Sequence, residues 1–364
     1  MITLPTLYGK ASNGKIKQWS ISYVGDTYTV TYGQYKGKLQ SKSTQCFPKN
    51  VGKKNETTGE QQAKLEAEAK WRIQQDKSYG PDINNIPKCY NPMLAQDYRK
   101  AGHRIDFPCY GQPKLNGVRV LARLSKEGEI IFSSRGGKTY VKPPQIVEEL
   151  TPVFKKAPNL VLDGEFYIHN TPLEKINSAA KVLQPLTHKL EYHIFDTARE
   201  DLSFYIRKQF LEQLSTKLGL FTKTVETFLI ENREDVEGIT KNLTSAGYEG
   251  LILRDITLNY FFDTRFYGLQ KYKFFLDKEF KIIGVKKDKN GGGVFICWSD
   301  DASQSFDCSY KGTHEQREHF WHNPDEFVGK WLTVQYQDLT MKKLPAFPVG
   351  VNFRDCNEKG EPLE

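Results

Sequence analysis

Short apolar runs of strand length, separated by helical pieces, set the terms for this chain. Val118 to Leu124, Ile130 to Ser133, Leu160 to Leu162, Tyr192 to Phe195 and Leu251 to Leu253 each fit a buried strand. Their alternation with helical pieces calls for sheets packed under helices, an α+β domain from residue 88 to about 276. With 38% hydrophobic and 26% charged residues, 28 Gly and 17 Pro, the composition excludes collagen-like, coiled-coil and wholly disordered chains. Its 364 residues suffice for two or three domains.

Two smaller segments flank the central one. Trp19 to Val24 and Thr27 to Tyr32 alternate as strands between glycine turns, so residues 1 to 84 read as a small β-rich module. A helix is expected from Glu60 to Lys77, opened by a Thr57/Glu60 capping box, with Gln62, Leu65, Ala69 and Ile73 near helical spacing. The turn-forming stretch Tyr79 to Pro87 marks the first boundary. Phe280 to Asp355 is strand-like again and of a size for a small barrel. The division expected is therefore 1–84, 85–276 and 277–364, without internal repeats.

Charge is distributed unevenly. The formal net charge is +8, and the first 54 residues alone hold nine lysines against one acid, Asp26; the rest of the chain balances to zero. A lysine-rich segment of this kind is a footprint for a polyanion, since each neutralised phosphate releases counterions. Cys46, Cys89, Cys109, Cys297, Cys308 and Cys356 form no Cys-x-x-Cys pair, which argues against a zinc ribbon or disulfide scaffold and for reduced thiols in a cytoplasm. Met1 to Tyr8 lack an export signal, and no apolar run approaches a membrane span.

The chemistry centres on Gly111-Gln112-Pro-Lys114-Leu-Asn116-Gly117-Val-Arg119, where one lysine stands between a proline and a glycine turn. A lysine that attacks phosphorus must be neutral, although its free pKa is about 10.4, and a rigid frame can hold its amine in line with a phosphate. Further segments follow in order: Ser133-Ser-Arg135-Gly-Gly137, Leu162-Asp-Gly-Glu165, Tyr192-His-Ile-Phe195-Asp196, Tyr248-Glu249-Gly-Leu-Ile-Leu-Arg254, Leu269-Gln-Lys271-Tyr-Lys273 and Lys343 to Asp355. Together these resemble the covalent nucleotidyltransferases, and most closely the small ATP-dependent DNA ligases of viruses and phages. The resemblance covers about residues 88 to 356. The N-terminal module resembles WGR-type domains more loosely, with Tyr32-Gly33-Gln34 where Trp-Gly-Arg would stand.

The resemblance implies an antiparallel-sheet nucleotidyltransferase domain, ATP-grasp-like, followed by an OB-fold barrel. It implies that Lys114 takes AMP from ATP and passes it to the 5'-phosphate of nicked double-stranded DNA. Glu165 and Glu249 are then ligands or orienters for Mg²⁺ or Mn²⁺, and Lys271 and Lys273 face the α-phosphate. Phe195 stacks on the base and Gln112 reads its edge. Arg119 and Arg135 bind ribose or phosphate, Arg135 being assigned to the nick's 5'-phosphate, and Arg354 orients pyrophosphate together with Lys342 or Lys343. A monomer in a host cytoplasm is expected, with no membrane attachment.

Two departures stand out: Asn116 where the family carries Asp, and Ala346 where relatives often carry Arg. Loss of the Asp charge need not harm Lys114, because that charge would have raised the lysine's pKa. RNA ligases and capping guanylyltransferases share the lysine chemistry and remain alternatives, as does a non-catalytic DNA-binding protein on this scaffold. Gly137-Lys138-Thr139 is no phosphate loop, since Phe132 occupies the required glycine position. His314, His319 and His322 match no common zinc spacing and read as a solvated helix face.

Overall fold

The computed structural model describes residues 1–11, 14–88, 90–288 and 291–363. The chain divides into two compact units, Met1–Tyr272 and Lys273–Glu364. The first unit takes in the N-terminal segment, so no separation of compact units falls near residue 84, and the second begins four residues before the expected 277.

The first unit starts with β1 (Ile2–Thr3), β2 (Leu7–Lys10), β3 (Ile16–Val24), β4 (Thr27–Gln34) and β5 (Leu39–Gln45), then α1 (Gly59–Asp76). The strands make one antiparallel sheet in the order β1-β3-β4-β5, with β2 also on β3. Thr57 does not cap the helix, because that residue pairs its backbone with Lys49 in both directions at 3.0 Å. The capping box is instead one residue later, Thr58 with Gln61. Of the residues at helical spacing Gln62 is inward, with Ala63 and Ala67 beside it, whereas Leu65 is 50% and Ile73 44% exposed. Alanines at i and i+4 let the helix lie close on Ile21 and Tyr28 of the sheet.

Two further five-stranded sheets follow in this unit. Their elements are β6 (Leu94–Asp97), α2 (Tyr98–Ala101), β7 (Cys109–Lys114), β8 (Val118–Leu124), β9 (Ile130–Ser134), α3 (Pro144–Lys156), β10 (Val161–Tyr167) and α4 (Leu173–Lys181). After them come β11 (Glu191–Thr197), α5 (Phe204–Ser215), β12 (Thr222–Thr224), β13 (Phe228–Ile230), α6 (Asp235–Ser245), β14 (Gly250–Arg254) and β15 (Arg265–Tyr272). One sheet runs β12-β11-β10-β8-β9 and the other β13-β7-β14-β15-β6, with parallel pairs only at β11/β12 and β6/β15.

Ile146, Leu150 and Phe154 of α3, at i, i+4 and i+8, and Ile176, Ala179 and Ala180 of α4 pack with Phe132, Phe166 and Tyr192 of the first sheet. Each large side chain fully buried there contributes roughly 1.5–3 kcal/mol. Val236 of α6 packs with Leu251 and Leu253 of the second sheet. Leu121 and Val161 of the first sheet meet Leu269 of the second through Met93, Tyr260 and Phe262. The two sheets thus share a core and hold their functional side chains across it.

The second unit comprises β16 (Leu276–Lys287), β17 (Gly293–Trp298), β18 (Ser305–Tyr310), α7 (His314–His322), β19 (Trp331–Tyr336) and β20 (Val349–Arg354). Its strands pair β16-β17-β18-β20-β19, and β19 returns to β16 to form a barrel around Phe280, Ile282, Phe295, Leu332 and Val334. The contact of β18 with β20 involves just two residue pairs. Gly291 and Gly292 belong to a turn closed on Asp288. The described cysteines are free thiols, and Cys89 lies outside the described residues. Among the described residues no helix is long and apolar enough to cross a membrane.

Candidate active site

Lys114 is the last residue of β7, and the chain turns immediately after it through Leu115, Asn116 and Gly117. A side chain at 117 would run into the Phe166 carbonyl and come within 2.9 Å of Glu165 Cγ. Glycine is therefore needed for the turn to lie against β10, and its N–H donates to Glu165 Oε1 at 2.7 Å. Gly250 of β14 pairs with Lys114, and the Glu249 N–H donates to the Lys114 carbonyl at 2.8 Å. This backbone contact delivers the Glu249 carboxylate to Lys114 Nζ, with which it forms an ion pair. Both side chains keep access to solvent, at 20% and 18% exposure, as groups that must meet a ligand do.

Arg119 and His193 flank Glu165 in register on the neighbouring strands. Burial pushes the Glu165 carboxyl up to about 7, against the opposing pull of Lys114 and the Gly117 N–H. The Arg119 guanidinium grips Asp163 in a fork, Nε to Oδ1 at 2.9 Å and Nη2 to Oδ2 at 2.6 Å. Burial disfavours its charge, but Asp163 more than compensates and raises its pKa. Tyr260 donates to the same carboxylate at 2.7 Å, so Asp163 holds Arg119 in a fixed pose.

Phe195 of β11 lies beside two guanidinium groups, Arg119 at 5.4 Å and Arg254 at 5.5 Å from its ring centre. Behind it runs a buried polar network. Gln112 Oε1 accepts from Arg254 Nε at 2.6 Å, and Arg254 Nη1 donates to Asp196 at 2.6 Å. Arg207 donates to Asp196 from Nε at 2.7 Å and from Nη2 at 3.2 Å. Burial opposes ionisation of Asp196, but the two arginines together hold its carboxyl below the ordinary carboxylate range.

The fold thus brings together Lys114, Glu249, Glu165, Arg119 and Phe195. Gln112 is set deep in the wall. It is 1% exposed, and its amide already donates to the Phe195 carbonyl at 3.1 Å and to Thr227 at 2.9 Å. With both N–H groups committed, its side chain braces the wall of the site. Arg135 is exposed in the turn after β9. Lys271 pairs with Ile252, which pairs with Gln112, so alternation places Lys271 on the same face of its sheet as Gln112 and Lys114. Lys273 and Arg354 belong to the second unit, where Arg354 reaches Glu279 at 3.3 Å. A cavity of about 690 Å³ lies elsewhere, on the N-terminal sheet.

A lysine framed by two carboxylates, a braced arginine and an aromatic face defines a covalent nucleotidyltransferase. The family described as ATP dependent DNA ligase domain matches residues 92–273, and that described as DNA ligase OB-like domain matches residues 284–354. The DNA ligase of African swine fever virus is 28% identical over 332 residues, 84% of this chain and 78% of its own length. That of Enterobacteria phage T4 is 22% identical over 344 residues, 75% and 70% of the two chains. A solved structure from a study of Lig E DNA ligases covers 73% of this chain with all of its own, at 22% identity and a TM-score of 0.59. Another, described as Pmar-Lig_Pre, covers 74% with 68% of its own at 20% identity and a TM-score of 0.65; at such identities both report the fold. The chain belongs to the ATP-dependent DNA ligases, enzymes that use ATP to seal nicks through a lysyl-AMP and a DNA-adenylate.

Proposed function

We propose that Lys114 is the residue that carries AMP. The observation behind this is the Lys114–Glu249 ion pair at the end of β7, beside Glu165 and in reach of ligand. Lys114 Nζ loses a proton, for which Glu249 is the adjacent acceptor, and attacks the α-phosphorus of ATP, releasing pyrophosphate. AMP then passes to the 5'-phosphate of the nick, and the 3'-hydroxyl displaces it. Arg119, held by Asp163, binds the ribose or phosphate, and Phe195 stacks on adenine. Lys271 and Lys273 stabilise the charge on the α-phosphate, Arg354 orients pyrophosphate, and Arg135 takes the 5'-phosphate of the nick.

Glu165 and Glu249 fit a divalent cation delivered with the triphosphate. They are hard oxygen donors, and among the described residues no group of three or more metal-binding side chains exists to make an all-protein cage. Mg²⁺ bound there would neutralise charge on the phosphate oxygens. The lysine-rich first 54 residues contribute phosphate contacts to the DNA. The viral and phage relatives support action in a host cytoplasm, and we take the working form to be a monomer. Incubation with ATP and Mg²⁺ followed by peptide mass spectrometry tests the reading: one AMP should appear on the peptide carrying Lys114. An adduct on another lysine, or none, refutes it.

A further inference from the structure

The N-terminal sheet has a face that its own helix leaves partly open. Cross-strand pairs Tyr23/Tyr28, Ile21/Val30, Trp19/Tyr32 and Lys17/Gln34 stack along one face of β3 and β4. The α1 helix covers the first of these and stops at Asp76. Past its end the sheet continues, and the chain comes back at Tyr79. The result is the 690 Å³ cavity, lined among others by Lys15, Lys17, Trp19, Tyr32, Gln74 and Tyr79. That volume is in the range of small-ligand sites, enough for a nucleotide or two.

Three aromatic rings and two lysines in one groove, two of the rings and both lysines from the first 54 residues with their +8, are suited to a strand whose bases are exposed. In duplex DNA the base faces are hidden by stacking, whereas in a single strand they are available to aromatic side chains, with cations tracking the phosphates. The groove also lies beside the catalytic sheets. Gly137, in the turn that carries Arg135, approaches the Asp76 carbonyl at the end of α1 so closely that no side chain fits there.

We propose that this groove binds unpaired nucleotides of a single DNA strand, the bases against Trp19 and Tyr32 and the phosphates at Lys15 and Lys17. This rests on the reading of the chain as a DNA ligase, to which it adds a single-strand site next to the turn assigned to the nick. The full-length protein is titrated with a 16-nucleotide oligothymidylate carrying one 2-aminopurine, whose fluorescence is quenched by stacking. Wild type should bind and quench. Tyr32→Ala should bind roughly tenfold more weakly, as expected for loss of one stacked base, and Tyr32→Phe should restore both signals. Lys15→Ala with Lys17→Ala should lower the salt slope by about one to two units. Equal binding by wild type and Tyr32→Ala, loss of binding in Tyr32→Phe as well, or equal competition by free thymidine monophosphate would overturn the proposal. Self-adenylylation of the wild type is measured alongside: its failure would sink the ligase reading, whereas the groove is decided by the oligonucleotide alone.

Discussion

Replacing Asp196 with asparagine removes the anion on which two buried arginines converge. In the native protein Asp196 is fully buried and accepts four hydrogen bonds, two from Arg207, one from Arg254 and one from the Thr197 N–H; the two arginine side chains are 1% and 4% exposed. Asparagine keeps one acceptor oxygen and turns an NH₂ donor toward guanidinium donors. Breaking a buried pair from one side costs about 3–5 kcal/mol, a large part of the roughly 5–15 kcal/mol that holds a domain folded. Trp19 and Trp71 share the compact unit of Asp196 but lie outside residues 92–273, so tryptophan fluorescence is not a local probe of β11. Urea unfolding followed by far-UV circular dichroism, with hydrogen exchange on peptides spanning β11, reads the change directly. The Asp196 carboxyl is held low, so its stabilising contribution is full above the unfolded pKa of about 3.9 and is lost as pH falls through the lower native value. The gap between wild type and mutant should therefore narrow below about pH 4. A loss under about 1 kcal/mol at neutral pH would refute the account of this network.

Lys114→Ala should abolish self-adenylylation yet still seal a nick supplied with 5'-AMP already attached; a labelled adenylate persisting in the mutant counts against the assignment. Glu249→Ala and Lys273→Ala should each slow adenylylation by about 100-fold or more, and rates within a few-fold of wild type would make them structural. Gly117→Ala places a methyl against the Phe166 carbonyl and Glu165, so it should destabilise by about 1–3 kcal/mol and displace the Gly117 N–H from Glu165; an unchanged melting profile would contradict this. Asn116→Asp should stay active in adenylylation, since it restores the residue usual in the family, and complete inactivity would show a pocket adapted to the amide.

The parts of the site that were legible in the sequence are those with local geometry. Lys114 and Gly117 are joined by one turn, Glu165 lies within β10 and Glu249 just before β14, and it is the order of such short segments, through the resemblance they carry, that points to them. The supports were harder to read. Arg207 sits on an amphipathic helix where it looks like a surface residue, and only the fold brings it to Asp196 eleven positions earlier. Tyr260 meets Asp163 across 97 positions, in a segment without a motif of its own. The bracing of Gln112 by Phe195, Thr227 and Arg254 likewise depends on residues far along the chain. The cap of α1 is Thr58 and not Thr57, since the Lys49–Thr57 pairing cannot be seen in a capping pattern.

The interleaving of strands between the two catalytic sheets has a consequence for how the protein comes off a ribosome. The sheet β12-β11-β10-β8-β9 is complete once Thr224 has been made, and its β8–β9 hairpin closes over the short loop 125–129. The other sheet must wait, because Leu94 at the start of β6 pairs with Arg265 in β15, and β7 needs both β13 and β14. Lys114 and Glu249 are 135 positions apart; at about 5–20 residues per second, the lysine emerges roughly 7–27 s before its carboxylate. During that interval β6 and β7 are unpaired edges, and a chain of this topology depends on them staying free of wrong partners until the last strands arrive.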